Sequence, residues 1–271
     1  MSLTSFSTTI DQRGILTAVL DVTDRGQNVF TPEVVEELSA IVDQVESDKS
    51  IRLVVFRSGK ESGFLAGADV EQIAEVVDPD QARSLSRAGQ QLFDRVERLS
   101  FPTLAVIHGP CLGGGLEFAL ACRHRVARDD TSTRLGLPEV ELGILPGWGG
   151  TLRLPRQVGL TTALPMILTG KRLSARDAAR CGLLDEAPAA GTWSADVEAL
   201  IDRLLDGRAP RRPGSGLLKW LADRTPPGRW LVLRTAHGKT RRHADHYPAP
   251  DLALAAIRKG LRSAEAGLAA E

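Results

Sequence analysis

Four short segments along the first half of the chain have the length and composition of buried strands. They cover residues 14–20, 51–56, 103–107 and 124–128, and the first three are rich in Val, Ile and Leu. Strands that are apolar throughout, without polar alternation, are typical of sheets covered by helices on both faces. The pattern therefore predicts a largely buried sheet.

Segments with helical spacing alternate with these strands. Thr31 suits an N-cap and Pro32 suits the first position of a helix, and apolar residues then recur at helical spacing. A second apolar stripe covers residues 85–99, and Ser174 followed by Asp177 resembles a capping box that opens a short helix. Strands alternating with helices predict an α/β fold.

After about residue 190, Pro- and Gly-rich stretches become prominent in the sequence. The stretches RAPRRPGSG at residues 208–216 and TPPG at residues 225–228 separate short helical segments. We therefore expect residues 1–190 to form the core of the fold and residues 191–271 to form a helical C-terminal region.

Charge and cysteine content disfavour several classes of protein. Lys+Arg and Asp+Glu balance at 34 each, so we expect no nucleic acid and no membrane as a partner, although residues 203–242 are locally basic. No apolar run reaches the ~20 residues of a membrane-spanning helix, and the N-terminus lacks the features of a signal peptide. We therefore expect a soluble, cytoplasmic protein. The cysteines lack the spacing of a disulfide framework or a zinc site, and we expect buried thiols at Cys111, Cys122 and Cys181.

The sequence GGGLE at residues 113–117 is the first candidate site. It follows a predicted strand and opens a helix, so its glycines expose backbone N–H groups at the positive end of the helix dipole. Such a helix start can bind a phosphate or stabilise an oxyanion. A tight packing turn would explain the glycines equally well on their number alone. The spacing differs from GxGxxG, which disfavours a dinucleotide site.

Two further segments carry candidate residues. FLAGAD at residues 64–69 places small residues after a strand, where a ligand could approach the main chain. In LGLPEVELGILPGWGG, residues 135–150, Pro138 favours an extended chain before Glu139. The apolar surroundings of Glu139 predict partial desolvation and a raised carboxyl pKa, which suits proton transfer. Glu141 is expected to be an ordinary solvated glutamate.

The segments FLAGAD, HGPCLGGGLEFALAC, GLPEVELGILPGWGGTLRLPR and ILTGKRLSARDAARCGLLDE, taken in order, resemble the crotonase superfamily of enoyl-CoA hydratases and isomerases. The resemblance covers roughly residues 10–190 and is nearest to the N-terminal hydratase domain of multifunctional fatty-acid β-oxidation enzymes. It implies a crotonase-like spiral of ββα units. The helical C-terminal region would make trimer contacts, and trimers would pair into hexamers. The last segment is similar to the linker before the dehydrogenase half of those enzymes, so we expect a free-standing relative or an excised domain.

The resemblance also implies a reaction and the residues that perform it. The substrate is a trans-2-enoyl-CoA thioester, to which water is added without a metal or redox cofactor. Glu117 activates the water and Glu139 delivers a proton to Cα, while the backbone N–H groups of Ala68 and Gly114 form an oxyanion hole. The residues implied to contact the substrate, with the CoA moiety along the first three, are Ala66, Gly67, Asp69, Gly113, Pro138, Gly147 and Trp148.

Three positions depart from the family pattern. Many relatives carry a Lys two residues after Asp69, where this chain has Glu71, so we expect Lys60 or a basic C-terminal residue to meet the CoA phosphates. Trp148 stands where relatives often have Ala or Ser, and we expect it to restrict the acyl pocket. Pro165 stands where relatives usually have a helix former, so we expect a kinked helix.

Two alternatives stay open at this point. A Δ3-Δ2-enoyl-CoA isomerase would need one proton shuttle, which Glu139 could supply, and other crotonase-type acyl-CoA reactions use the same scaffold. A non-catalytic binding protein on the crotonase fold, for example an RNA-associated one, would suit the basic stretch at residues 203–242. The presence of both Glu117 and Glu139 favours hydration over these alternatives.

Overall fold

The strands form one five-stranded sheet and one small three-stranded sheet. The computed structural model describes residues 3–69, 74–210, 212, 217–240 and 247–271. Its strands are β1 (Phe6–Ile10), β2 (Ile15–Leu20), β3 (Leu53–Ser58), β4 (Thr103–Ile107), β5 (Pro110–Leu112), β6 (His124–Ala127), β7 (Arg134–Gly136) and β8 (Leu173–Ser174). The large sheet has the order β1-β2-β3-β4-β6, antiparallel between β1 and β2 and parallel elsewhere. The small sheet has the order β5-β7-β8.

Helices follow most of the strands, as the alternating pattern predicts. They are α1 (Pro32–Ser47), α2 (Pro79–Arg98), α3 (Gly114–Ala121), α4 (Gly150–Val158), α5 (Leu160–Thr169), α6 (Ala175–Arg180), α7 (Trp193–Leu205), α8 (Leu217–Arg224), α9 (Pro226–Thr240), α10 (Ala249–Gly260) and α11 (Ala264–Leu268), with a 3-10 helix at Glu139–Leu142. The predicted caps form, since Thr31 Oγ1 accepts from Val34 N and Ser174 Oγ accepts from Asp177 N.

The parallel strands are buried on both faces, and alternate residues serve two separate cores. Val54 and Phe56 of β3 face the larger core, which includes the buried sides of α1, α2 and α3. Leu53 and Val55, the residues between them, face a second core formed with helix α7. This period of two, with apolar residues on both sides, is the reason the strand segments are apolar throughout.

Strand β5 connects the large sheet to the candidate site. It begins three residues after β4, across a turn in which Gly109 has a φ of +59°. On one side Cys111 forms a parallel bridge with Leu65, and on the other side β5 pairs with β7. The FLAGAD segment, the glycine-rich helix start and the segment before Glu139 therefore lie side by side.

The C-terminal helices fold back onto α4. Helices α10 and α11 form a close hairpin, because a Cβ at Gly267 would lie only 2.6 Å from the Cα of Gly260. The hairpin packs against α4, and Leu268 reaches the N-terminal end of that helix, where its Cδ2 would lie 3.5 Å from a Cβ at Gly149. Among the helices described, none combines the length and the apolar character needed to cross a bilayer.

The predicted strands and helices are confirmed, with local differences. Residues 51 and 52 precede β3 instead of belonging to it, and Leu85 of the predicted apolar stripe is 48% exposed. Cys111 and Cys122 are buried, but the prediction for Cys181 is wrong, because this side chain is partly exposed beyond the end of α6. Pro165 lies inside α5, which continues to Thr169. The boundary at residue 190 stays a prediction.

Candidate active site

Helix α3 begins with glycines because its first turn is pressed against neighbouring backbone. Gly113 has a φ of +52° and its N–H donates to Gly136 O. A Cβ at Gly115 would lie 2.2 Å from Leu65 O, so only glycine fits there. The N–H of Gly114, the first residue of the helix, donates to no acceptor among the described residues. This N–H is thus free to bind a ligand at the positive end of the helix.

A second unpaired donor lies on the adjacent segment. Phe30 N donates to Gly67 O, and Asp69 N donates to Phe30 O, which is the pattern of a parallel bridge centred on Ala68. In such a bridge the N–H of Ala68 points away from Phe30, and within the described chain it has no acceptor. A Cβ at Gly67 would lie 3.8 Å from Gly114 N, so the two backbone segments that carry the donors lie side by side.

Glu117 projects from the first turn of α3 and is 2% exposed. Its Oε1 accepts hydrogen bonds from Trp148 N at 2.8 Å and from Gly150 N at 2.7 Å. Burial raises the pKa of Glu117 to about 7, against the lowering effect of these two hydrogen bonds and of Arg153. A carboxyl group with this pKa is suited to exchange protons near neutrality.

Glu139 opens the 3-10 helix and lies in a different environment. It is 9% exposed, and neither carboxyl oxygen has a hydrogen-bond partner among the described residues. A Cβ at Gly113 would lie 3.2 Å from Glu139 Oε1 and 3.6 Å from the Cα of Gly67, so this carboxyl adjoins both donor segments. Burial, together with the charge of Glu117, raises the pKa of Glu139 well above its usual range. The raised pKa of Glu139 favours its protonated form and suits the carboxyl to act as an acid.

Trp148 occupies the space between α2 and α3. Its ring meets Phe30 and Phe93 edge to face, with centroid distances of 5.1 and 5.4 Å. A Cβ at Gly114 would lie 3.1 Å from the indole, and one at Gly89 would lie 2.4 Å from it. The indole thus covers the helix start beside one N–H donor, and its restriction of an acyl pocket stays a prediction.

The loop before α4 is anchored by polar side chains that the sequence did not reveal. Ser86 Oγ donates to Gly147 O at 2.6 Å and Gln90 Nε2 donates to the same oxygen at 3.0 Å. Arg153, 4% exposed, donates from Nη1 to Trp148 O at 2.8 Å. The guanidinium also pairs with Asp94 and, at 2.8 Å, with Glu97. These residues belong to no sequence motif, and their distance in sequence from the candidate glutamates does not mark them as part of the site.

The remaining predicted contacts lie at the edge of the site. Ala66 N donates to Asn28 O, and Asp69 forms an ion pair of 2.7 Å with Arg25. Pro138 immediately precedes the 3-10 helix. Lys60, the expected phosphate contact, is held by Asp21 at 2.7 Å.

Two other predictions concern residues near these contacts. Glu71 lies outside the described residues. Glu141 is exposed and pairs with Arg172 at 2.7 Å, which confirms that it is a solvated glutamate.

Two buried carboxyl groups lie beside two N–H donors that have no acceptor within the described chain, an arrangement suited to proton transfer next to an oxyanion. The chain belongs to the enoyl-CoA hydratase/isomerase family, since the family model of that description matches residues 13–209. It is 41% identical over 267 residues to a fatty acid oxidation complex subunit alpha of Idiomarina loihiensis, and 40% identical over 259 residues to one of Aliivibrio fischeri. These alignments cover 97% and 95% of this chain but 37% of each relative.

The fold agrees with solved structures of the family. The 1.8 Å crystal structure of an enoyl-CoA hydratase from Bacillus anthracis has a TM-score of 0.67 and is 31% identical to the chain. This match covers 74% of the chain and 76% of that structure. The expected crotonase-like α/β fold is thereby confirmed.

Proposed function

We propose that the protein adds water across the 2,3 double bond of a trans-2-enoyl-CoA. The observation that carries this proposal is the pair Glu117 and Glu139, two buried carboxyl groups in unlike environments next to the free N–H groups of Ala68 and Gly114. Family membership supports the reaction class. The 40–41% identity to fatty acid oxidation complex alpha subunits supports a role in β-oxidation.

The two carboxyl groups divide the proton transfers. Glu117, whose Oε1 is held by two backbone N–H groups, accepts a proton as the water oxygen bonds to Cβ of the substrate. The electrons of the double bond move to the thioester oxygen, which the N–H groups of Ala68 and Gly114 stabilise. Glu139 then gives its proton to Cα, and the carbonyl reforms. A proton passes from Glu117 back to Glu139 before the next turnover, so the enzyme is unchanged.

Magnitudes from comparable sites support a mechanism that relies on these groups alone. Each oxyanion donor contributes about 3–4 kcal/mol to transition-state stabilisation. General acid–base catalysis by a positioned carboxyl contributes roughly 10²–10⁴-fold. The proposed reaction therefore uses no metal ion and no redox cofactor, and coenzyme A is part of the substrate.

The wider setting is also proposed. The relatives are longer proteins, so a dehydrogenase domain is the expected partner of this domain within a fatty acid oxidation complex. Exposed apolar side chains on α8 and α9 support assembly into trimers or pairs of trimers; they are Trp220, Leu221, Trp230 and Leu231. The free cysteines support a reducing, cytoplasmic location.

The test is the loss of enoyl-thioester absorbance with crotonyl-CoA and decenoyl-CoA. We expect the wild-type protein to turn over these substrates. In Glu117→Gln and in Glu139→Gln, kcat should fall by at least roughly 10²-fold. Unchanged turnover in either variant would remove that residue from the mechanism. Glu141→Gln, a change at a solvated glutamate two residues from Glu139, is the matched control and should retain wild-type activity.

Isomerisation is the second candidate, and the isolation of the Glu139 carboxyl favours it as a side activity. A proton shuttle between two carbons of the substrate needs one acid–base group, and Glu139 has no partner among the described residues that would hold its proton. Retained Δ3-Δ2 isomerisation in Glu117→Gln, with hydration lost, would establish a dual-activity site. Absence of all turnover in the wild type would instead favour the non-catalytic alternative.

A further inference from the structure

Four consecutive backbone N–H groups lead into helix α4, and two glutamate side chains accept from them in alternation. The first and third, Trp148 N and Gly150 N, donate to Glu117 Oε1. The second, Gly149 N, donates to Glu271 Oε2 at 2.6 Å, and the fourth, Thr151 N, donates to Glu271 Oε1 at 3.0 Å. Thr151 Oγ1 adds a bond of 2.6 Å to the same oxygen. The N-terminal turn is thus clamped by one carboxylate of the candidate catalytic pair and by a third carboxylate from another part of the chain.

The side chain of Glu271 is held in this position by the surrounding structure. Gln90 Nε2 lies 3.3 Å from Glu271 Oε2 and donates to Leu268 O and Gly147 O, at 3.0 Å each. Because Gly267 packs closely on α10, the C-terminal end of α11 lies beside the N-terminus of α4. One amide side chain therefore joins the loop before α4 to the segment that carries Glu271.

The three carboxyl groups also influence one another electrostatically. Burial and the charge of Glu117 together raise the pKa of Glu271 to about 8, against the lowering effect of its hydrogen bonds. The charge of Glu271 in turn contributes to the raised pKa of Glu139. The ionisable groups around Glu271 are Glu117 on α3, Glu139 on the 3-10 helix, Arg153 on α4, and Asp94 and Glu97 on α2, which pair with Arg153.

We propose that Glu271 is a positioning residue of the active site, which holds the first turn of α4 so that Glu117 keeps both of its hydrogen bonds and its orientation toward the reacting water. This inference rests on the proposed function. Glu271 touches no reacting atom in this scheme. It acts through Gly149 and Thr151, the two residues whose N–H groups lie next to those that hold Glu117. Loss of this clamp lets the turn move, and a displacement of about 1 Å at such a site can reduce the rate by about 10²-fold.

The test compares Glu271→Gln and Glu271→Ala with Glu265→Gln, a change at an exposed glutamate of α11, the helix that precedes Glu271. The alanine variant loses every bond to the turn, and we expect its kcat to fall by roughly 10–100-fold with a smaller change in KM. The glutamine variant keeps one acceptor oxygen and should fall less. Loss of the hydrogen bonds that lower the pKa of Glu117 should raise that pKa, most in Glu271→Ala, whereas removal of the Glu271 charge should lower the pKa of Glu139, so the two limbs of the pH–rate profile should move in opposite directions. Glu265→Gln should match the wild type in both respects.

A purely structural role predicts a different result. If kcat falls only in proportion to unfolded protein, and the pH–rate profile stays in place, Glu271 does not position Glu117 and the inference is overturned. Wild-type kcat and pH profile in Glu271→Ala would overturn it equally.

A titration that requires no turnover separates this inference from the proposed function. Isotope-edited infrared spectra of ¹³C-labelled carboxyl groups, with Glu117→Gln and Glu139→Gln for assignment, report the pKa of the catalytic pair directly. A higher pKa of Glu117 in Glu271→Ala supports the inference even if hydration is not the reaction. An unchanged or lower pKa of Glu117 in Glu271→Ala overturns it even if hydration is established.

Discussion

The environment of Glu117 predicts that one substitution inactivates the protein and stabilises it at the same time. Glu117→Gln keeps an oxygen that can accept from Trp148 N and Gly150 N, but it removes a buried charge. The pKa of Glu117 rises from 4.5, the value of a solvated glutamate in the unfolded chain, to about 7 in the fold. A carboxyl whose pKa is higher in the folded state contributes stability below pH 4.5, and that contribution is lost as pH rises to about 7.

The magnitude follows from the same two pKa values. Their difference corresponds to about 3 kcal/mol of unfolding free energy, which the wild type loses between pH 4.5 and pH 7 and Glu117→Gln does not. Glu117→Ala provides the contrast. It leaves two buried N–H groups without an acceptor, at about 1–3 kcal/mol each, and should be destabilised at both pH values.

Urea unfolding at pH 4.5 and pH 8, followed by tryptophan fluorescence, measures these differences. We expect the unfolding free energy of Glu117→Gln, relative to that of the wild type, to be about 3 kcal/mol higher at pH 8 than at pH 4.5. Hydratase activity should be lost. The reasoning is refuted if the stability of Glu117→Gln falls with pH as steeply as that of the wild type. It is also refuted if the glutamine and alanine variants are equally unstable.

Three further outcomes follow from the packing around the site. Gly89→Ala should destabilise the protein by about 1–3 kcal/mol in urea and reduce activity, because its methyl group would displace the Trp148 indole. Arg153→Met should cost about 1–3 kcal/mol in the same assay, since it removes the donor to Trp148 O and the cation that pairs with the partly exposed Asp94 and Glu97. Burial raises the thiol pKa of Cys122 to about 12, so this cysteine should resist iodoacetamide at pH 8 in the folded protein, as read by mass spectrometry.

Matched substitutions at exposed positions serve as controls for the two stability predictions. Gly238→Ala in α9 meets no atom of the described residues within 4 Å and should stabilise its helix by about 0.5–1 kcal/mol. Arg172→Met breaks only the exposed pair with Glu141 and should change stability by about 1 kcal/mol or less. Equal effects of Gly89→Ala and Gly238→Ala would contradict the proposed clash with Trp148. Labelling of Cys122 at the rate of the unfolded protein would contradict its burial.

The sequence predicted those elements whose formation depends on local pattern. The strands and the caps at Thr31 and Ser174 follow from apolar runs and from side-chain hydrogen bonds within three residues. The small sheet could not be predicted from the sequence, because its strands have two or three residues each and are fixed by pairing with distant segments. The prediction of a buried Cys181 is wrong because small neighbours in sequence do not determine the exposure of a side chain.

The candidate site divides in the same way. Glu117 and Gly114 share one motif, and Glu139 stands out in its apolar surroundings, so sequence alone nominated them. Arg153 and Glu271 carry no such signal. Their contacts join residues 56 and 120 or more positions apart, and only the packing of α2, α4 and α11 brings them together. Polar groups that support a site from distant elements lie beyond the reach of periodicity and spacing.

Strand β5, only three residues long, has a consequence for how activity is acquired during folding. Its bridge to Leu65 joins residues 46 positions apart, and its pairing with β7 fixes the segment that leads to Glu139. Closing such distant contacts is slow compared with forming local helices. A register slip of one residue would turn Cys111 outward and separate both donor segments from Glu139. Catalytic competence should thus arise in a single late step, and recovered turnover would report completed folding rather than the gain of helix.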